Sequence, residues 1–484
     1  MTTQYLRPHP IAIAGYLSRA MYLLIIPVAR GLLLALRAGT IIAWAQGAWF
    51  DILVLMFITG LAAVRWRLTV FWFDEVGLYL KKGLFYRQTV YIPMQNIATM
   101  STQYPLLLRP LGAVILRADT SGGSMRKYDF ELIVRRRDAE NALGKRISSC
   151  DKSRGTRKVL FPHSLHIAAL SAFLSNSFAG VVFAATLISR AGDILGEKLQ
   201  GRVLSLLARI SETVSSISYG VPPLAAMIAL IILGGWFIGF LRNLLRLVRF
   251  RIARTGSLLT IDAGLITRRR YSVRIDKVFY LDIRQSVMTR LLRIYLVFIR
   301  CTGYGKDKDE ASVLIPSATR RDLAPMLGGL LPGIRPHARS IKPRRGAWFR
   351  YLYSTLLSAI GLVIIYCIAL YLFPSWRDVS RFVFLMSCIP LGWLFLLKIV
   401  DYLTAGLSFE KGALTLRYSS GYILHTVAVK PCHIALISIR QSFFQRLGGS
   451  CDLLVYTFSE QNRFARPHRV KGLSRSEVTK ELGL

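Results

Sequence analysis

The stretch DIRQSVMTRLL, residues 282–292, returns in the same frame as SIRQSFFQRLG, residues 438–448. Working outward, MQNIATMSTQYPLLLRPLG (94–112) lies over IDKVFYLDIRQSVMTRLLR (275–293), and KPCHIALISIRQSFFQRLGG (430–449) follows the same order. Ile97, Val278 and Ile434 then coincide, as do Arg109, Arg290 and Arg446. A unit repeated three times along one chain is the reading this implies. The first copy departs from the other two, with Gln103-Tyr104-Pro105 in place of Arg-Gln-Ser.

Upstream of the motif each copy reads as short strands about a turn: VGLYLKKGLFYRQTVYIP (76–93), SLLTIDAGLITRRRYSVRI (257–275) and LSFEKGALTLRYSSGYILHTVAV (407–429). Gly83, Gly264 and Gly412 fall near the bends, and alternation such as Leu78/Leu80 and Leu414/Leu416 turns apolar side chains to one sheet face. Downstream come AVILRADT, LVFIRCTG and LLVYTFSE, then a short helix with start signals at Asp138, at Thr319 with Asp322, and at Ser474 with Glu477. Each copy is expected to be a small β-sandwich or barrel with a C-terminal helix.

The chain has 484 residues, 53% of them hydrophobic, and carries a formal charge of +38, with a mean hydropathy of +0.42. That combination points to membrane spans flanked by basic cytoplasmic segments. Windows of about 20 apolar residues, enough to cross a bilayer, occur near 20–37, 44–64, 164–189, 219–241, 350–373 and 380–400. The expected architecture is six transmembrane helices in three hairpins, each followed by one β-domain. Its parts are hairpin 1–64, domain 65–150, hairpin 160–245, domain 246–335, hairpin 346–400 and domain 401–484. The long basic segments would be retained inside, placing both termini and all three domains in the cytoplasm. Arg19 and Arg30 interrupt any signal-peptide core, so the first apolar segment is expected to remain as an anchor.

Glycine-hydrophobic, IP, isoleucine and RQS..hRLhG, followed by strands and a helix and each preceded by a two-span hairpin, is an order that resembles the bacterial PH-like domains of YdbT-like membrane proteins. The resemblance covers nearly the whole chain and implies a PH-like fold for each copy, in the inner membrane of a bacterium. It carries no function with it. Phosphoinositide binding is not implied, since no Lys-x-Lys/Arg-x-Arg loop is present. The nearest approach, TRRRYSVR (267–274) with Arg268, Arg269 and Arg270, reads as a solvated basic turn near an anionic membrane.

Three readings of Arg284-Gln285-Ser286 and Arg440-Gln441-Ser442 stay open. Catalysis lacks a base placed near either serine, and the motif is not a nucleophile elbow. In a structural role, Arg and Gln would satisfy backbone carbonyls, Ser would cap the next helical turn, and Leu291 and Leu447 would pack inward. As a binding surface, Arg284 with Arg290, and Arg440 with Arg446, would present guanidinium pairs to phosphate or carboxylate, and Arg109 holds the matching place in the first copy.

No metal or cofactor is expected. The seven histidines include His163 and His166, but no further ligand stands near them. The six cysteines show no CxxC spacing and read as reduced thiols. No zinc, helix-turn-helix or RNP pattern accompanies the positive charge, so nucleic acid is not the expected partner. Anionic inner-leaflet lipid explains the charge more simply. Arg30 and Asp51 sit at similar depth about the 38–43 connection and could pair between the first two helices. The functional expectation is a non-catalytic scaffold or adapter in envelope maintenance, with a membrane or cytoplasmic protein partner, a related single-domain PH-like membrane protein among the options. The alternative is a transporter or transporter subunit, for which Asn176, Pro222-Pro223, Pro390 and Gly235-x-x-x-Gly239 are the only hints.

Overall fold

A computed structural model of the chain describes residues 5–18, 49–74, 76–83, 86–120, 128–150, 158–160, 167–168, 171, 205, 209, 223–305, 312–410, 412–457 and 467–483. Helices α1 (Ala12–Ser18) and α2 (Trp49–Leu68) lead into strands β1 (Val70–Phe73), β2 (Gly77–Lys82), β3 (Gln88–Pro93), β4 (Ile97–Tyr104), β5 (Ala113–Thr120) and β6 (Phe130–Arg135), closed by α3 (Arg136–Cys150). After β7 (Lys158–Leu160) and α4 (Pro223–Leu247) come β8 (Arg251–Thr255), β9 (Leu258–Ala263), β10 (Arg268–Arg274), β11 (Val278–Gln285), α5 (Val287–Leu291), β12 (Ile294–Cys301), β13 (Val313–Thr319) and α6 (Arg320–Leu330). The last part holds α7 (Trp348–Leu372), α8 (Arg377–Thr404), β14 (Gly406–Glu410), β15 (Ala413–Ser420), β16 (Ile423–Val429), β17 (Ile434–Arg440), α9 (Phe443–Leu447), β18 (Ser450–Thr457), β19 (His468–Ser474) and α10 (Arg475–Leu482).

Local chemistry explains the recurring order. Leu78, Leu80, Leu414 and Leu416 are buried on one face of their strands, as two-residue alternation requires. Gly83, Gly264 and Gly412 have φ of +130°, +101° and +71°. A Cβ on Gly83 or Gly264 would collide with the carbonyl oxygen of Tyr86 or Thr267, so both turns need glycine. Ile97, Val278 and Ile434 each open the fourth strand of their copy after a single 3₁₀ turn. Thr319 and Ser474 are the residues before α6 and α10, whereas Asp138 lies inside the first turn of α3, three residues later than the cap position.

The six-helix expectation is corrected here. Among the described residues two helices are long and apolar enough to cross a membrane, Arg345–Leu372 and Pro374–Thr404. An apolar window records composition, whereas a span needs an unbroken helix of about 20 apolar residues. Window 44–64 contributes to α2, which contains Asp51 and ends on Arg65 and Arg67. Window 219–241 is described as helix only from Pro223, at the start of α4, whose last turns carry Arg242 and Arg246. Windows 20–37 and nearly all of 164–189 lie outside the described residues, as do His163, His166, Asn176 and Arg30. The Arg30–Asp51 pair therefore falls outside them too.

The sheets do not stop at the limits of a copy. Strands run in the order β6-β5-β4-β10-β9-β8-β7 in one sheet and β13-β12-β11-β16-β15-β14 in another, with β1-β2-β3 and β17-β18-β19 at the two ends. The fourth strand of the first copy thus pairs antiparallel with the third strand of the second, Met100 opposite Ser272 and Ser101 opposite Tyr271. The second copy joins the third in the same way, Leu281 opposite Ala428 and Asp282 opposite Val427. Met100 belongs to the first core with Phe71, Leu78 and Val134, while Tyr271 and Val273 belong to the second with Leu281 and Phe298. Side chains alternate across a strand, so neighbouring cores lie on opposite faces of one shared sheet.

The helical hairpin is bolted to the third copy. Tyr351 donates its hydroxyl to the Lys471 carbonyl at 2.8 Å, and Arg350 meets Asp452 at 3.2 Å. Lys398 reaches Ser419 at 2.6 Å, and Ser419 in turn donates to Asp401 at 2.5 Å.

Gly112, Arg293 and Gly449 occupy the same place after the motif and share a left-handed backbone, with φ of +66°, +57° and +59°. An L side chain in that region costs roughly 1–2 kcal/mol. Arg293→Gly is expected to stabilise the protein by about 1 kcal/mol, read as a higher melting temperature of the detergent-solubilised chain.

Candidate functional site

The glutamine of the motif is structural in both copies that have it. Gln285 Nε2 donates to the Ile294 carbonyl at 3.0 Å, and Gln441 Nε2 donates to the Ser450 carbonyl at 2.8 Å. Each bond ties the end of the fourth strand to the start of the fifth. The serine caps. Ser286 and Thr289 exchange backbone and side-chain bonds at 2.7 and 3.1 Å, and Ser442 with Gln445 forms a capping box before α9.

The arginines diverge. Arg284 donates to the buried Asp282 at 2.6 Å and lies 4.2 Å from the centroid of the Phe298 ring, so it belongs to the packing of the second joint. Arg440 and Arg446 are exposed. Arg109 bridges the first joint, its Nη2 donating to the carbonyls of Leu265 and Ile266, both at 2.8 Å. Arg268, Arg269 and Arg270 are not a turn: they lie in β10, opposite Tyr104, Gln103 and Thr102, and Arg270 is paired with Asp262 at 2.7 Å. Tyr271 and Val273 are drawn into the core and carry these arginines into the strand with them.

Leu291 and Leu447 correct a second expectation. They do not pack inward but stand 77% and 76% exposed, beside Leu292, Phe443 and Phe444, and the first copy exposes Leu106, Leu107 and Leu111 at the same place. Helices α5 and α9 are each only five residues long, too short to fold an apolar face back onto the sheet. Every copy therefore ends this segment in an apolar tip next to Arg109, Arg290 or Arg446. At the second copy α5 touches α8, one of the membrane-length helices.

Arg290 also lines a cleft of about 580 Å³ at the second joint, with Arg320, Arg339, Arg417, His337 and Thr404, the last residue of α8. Arg417 donates to the His337 carbonyl at 3.0 Å, while its buried Nε has no hydrogen-bond partner among the described residues. Burial, with Arg339 and Arg290 close by, lowers the Arg417 pKa. An anion with several oxygens would relieve that crowding and accept a hydrogen bond from Nε–H. Sequence reasoning found Arg290 but missed Arg320, Arg339 and Arg417, which only the pairing of β11 with β16 brings near one another.

Behind the cleft, Asp282 accepts from His425 at 3.0 Å, Tyr418 stacks on His425, and the Tyr418 hydroxyl meets His468 Nδ1 at 2.7 Å. Burial opposes the charge on Asp282, yet His425 and Arg284 outweigh it and hold its carboxyl well below the usual range. No cluster of three or more His, Cys, Asp or Glu side chains able to hold a metal occurs among the described residues.

The profile of the bacterial PH domain family matches residues 20–149 and 203–323, more than half of the chain. The chain belongs to the bacterial PH domain family. It is also 21% identical over 430 residues to the UPF0699 transmembrane protein YdbT of Bacillus subtilis (strain 168), covering 82% of this chain and 80% of that one. No solved structure matches. Family and relative together identify a YdbT-like, membrane-associated protein with PH-like domains.

His468 faces Tyr418 and Tyr280, with Asp282, His425 and Arg300 near by, and burial lowers its pKa from 6.5 to about 4. Between those values the unfolded chain binds a proton that the folded chain refuses. Stability from this group is full above pH 6.5 and is lost as pH falls toward about 4. The loss is on the order of 3 kcal/mol, and His468→Gln is expected to remove it, checked by melting temperatures of both proteins between pH 7 and 4.5.

Proposed function

We propose that the chain is a non-catalytic scaffold that holds PH-like domains against the inner leaflet of a bacterial cytoplasmic membrane, with the domains and both termini in the cytoplasm. The observation that carries this reading is the repeated apolar tip: Leu106 and Leu107, Leu291 and Leu292, and Phe443, Phe444 and Leu447 are exposed at one place in all three copies, each beside an arginine. Exposed leucine and phenylalanine flanked by arginine suit the boundary between acyl chains and headgroups. The contact of α5 with α8 supports the same depth, since α8 is long and apolar enough to cross the bilayer.

The cationic cleft supports an anionic lipid as the ligand. Thr404 both lines the cleft and ends the membrane-length helix, which supports a ligand drawn from the headgroup layer. Arg293 fits the reading: an arginine held at a left-handed position where the other copies have glycine costs stability, and next to Leu291 and Leu292 it gains a headgroup. Several weak contacts on one chain add through effective concentration. A domain array held so close to the surface leaves its outer faces for protein partners, which is the adapter part of the proposal.

The test uses the full chain in nanodiscs containing anionic lipid, with native cysteines replaced and a spin label at Leu291→Cys or Leu447→Cys. Both labels are expected to collide more with oxygen than with a water-soluble nickel complex, and a label at Ser476→Cys to do the reverse. Water-like accessibility at positions 291 and 447 would remove the basis of the proposal.

A further inference from the structure

Two joints inside the chain follow one rule, and the two ends of the chain leave that rule unfinished. At the first joint Met100 stands opposite Ser272, and at the second Leu281 stands opposite Ala428. Met100 and Leu281 occupy the same place in their copies, and so do Ser272 and Ala428, counted from Ile97, Val278 and Ile434. The register is therefore identical at both joints. What remains is a fourth strand in the third copy, β17, and a third strand in the first copy, β3. Each is an edge of its three-stranded sheet, without a strand partner along that edge among the described residues.

Both edges look like the inner joints with one side removed. Ser272 and Ala428 are buried at the joints, whereas Tyr91, in the same place on β3, is 44% exposed. Thr99 is buried on β4, whereas Leu436, its counterpart on β17, is 56% exposed. An apolar edge strand without protection tends to recruit another strand. Between Ile434 and Arg440, β17 holds four Ile or Leu residues, no lysine and no proline, and its irregularity between Ile434 and Leu436 recurs in β4 and β11, which pair at the joints all the same. Pro93 closes β3 at the position of Arg274 and Lys430, which both lie just outside the paired ladders, so its missing N–H is not needed.

We propose that β17 of one chain pairs with β3 of a second copy, head to tail, in the register that joins the repeats within the chain. That register places Ile437 opposite Tyr91, Leu436 opposite Ile92, Ser438 opposite Val90 and Ile439 opposite Thr89. The side chains suit it: Ile437 and Ile439 line the third core as Met100 and Leu281 line theirs, and Val90 and Ile92 line the first core as Tyr271 and Val273 line the second. A second copy is the occupant because the chain carries both halves of the joint, one at each end. Such an interface is heterologous, and it closes into a ring or continues as a row according to the rotation at each step.

The test keeps the full chain in its membrane, with native cysteines replaced. Two differently tagged versions are co-expressed, one with Ile437→Cys and one with Tyr91→Cys, and oxidised mildly. Opposed residues of paired strands come within disulfide reach, so a mixed dimer carrying both tags is expected. A control with Ser438→Cys against Tyr91→Cys is one residue out of register and points to opposite faces, so its yield should be several-fold lower. Leu436→Lys, at an exposed position, should abolish the in-register product without moving the melting temperature. Equal yields in both pairs, or no mixed dimer while the chain stays monomeric by mass photometry, would overturn the proposal. So would β17 cross-linking to a different PH-like protein in place of a second copy. These outcomes do not depend on how deep the apolar tips sit, so the membrane proposal stands or falls separately.

Discussion

Main-chain hydrogen bonding between β4 and β10, and between β11 and β16, is the constraint on which the rest of this molecule depends. Because side chains alternate across each shared strand, one ladder serves two cores at once. Met100 faces the first and Tyr271 the second from adjacent strands of the same sheet. The small residues Ser101, Ser272 and Ala428 stand opposite the large ones and let the two layers approach. Further contacts weld the first joint: Thr99 donates to the Thr302 carbonyl at 2.5 Å, and Arg109 reaches across to the turn before β10. Three copies of a small sandwich become one extended body.

The repeat, the strand pairs and the turn glycines were legible in the sequence because they rest on local periodicity and on backbone conformations few residues tolerate. Gly83, Gly264 and Gly412 needed no tertiary information. The joining of the sheets was not legible. The arginine run 268–270 looked like a turn because charge was read before alternation, while Tyr271 and Val273 already marked a strand. The helix count differs for another reason: window 44–64 is described as helix only from Trp49 and window 219–241 only from Pro223, both running into arginines, and the other two windows lie almost wholly outside the described residues.

The candidate site divides along the same line. Gln285 and Ser286, with Gln441 and Ser442, bond within nine residues of themselves, and a structural role for them could be read from spacing. The cleft could not, since Arg290, Arg339 and Arg417 come from different elements and meet only through the second joint. Leu291 and Leu447 show the limit of the rule that apolar residues go inside. A five-residue helix has too little length to choose its burial, so exposure there reports the surroundings of the protein more than its core.

The joints also set an order of assembly. Strand β4 cannot satisfy its outer edge until β10 has been made, and β10 lies beyond α4 and the whole first copy in the chain. Closing a ladder over such a separation is slow. During synthesis the first and second copies must therefore wait, half finished and with an edge open, for the strand that the next copy brings. The ribosome delivers these domains one after another, but the last hydrogen bonds of the first two are formed one domain late.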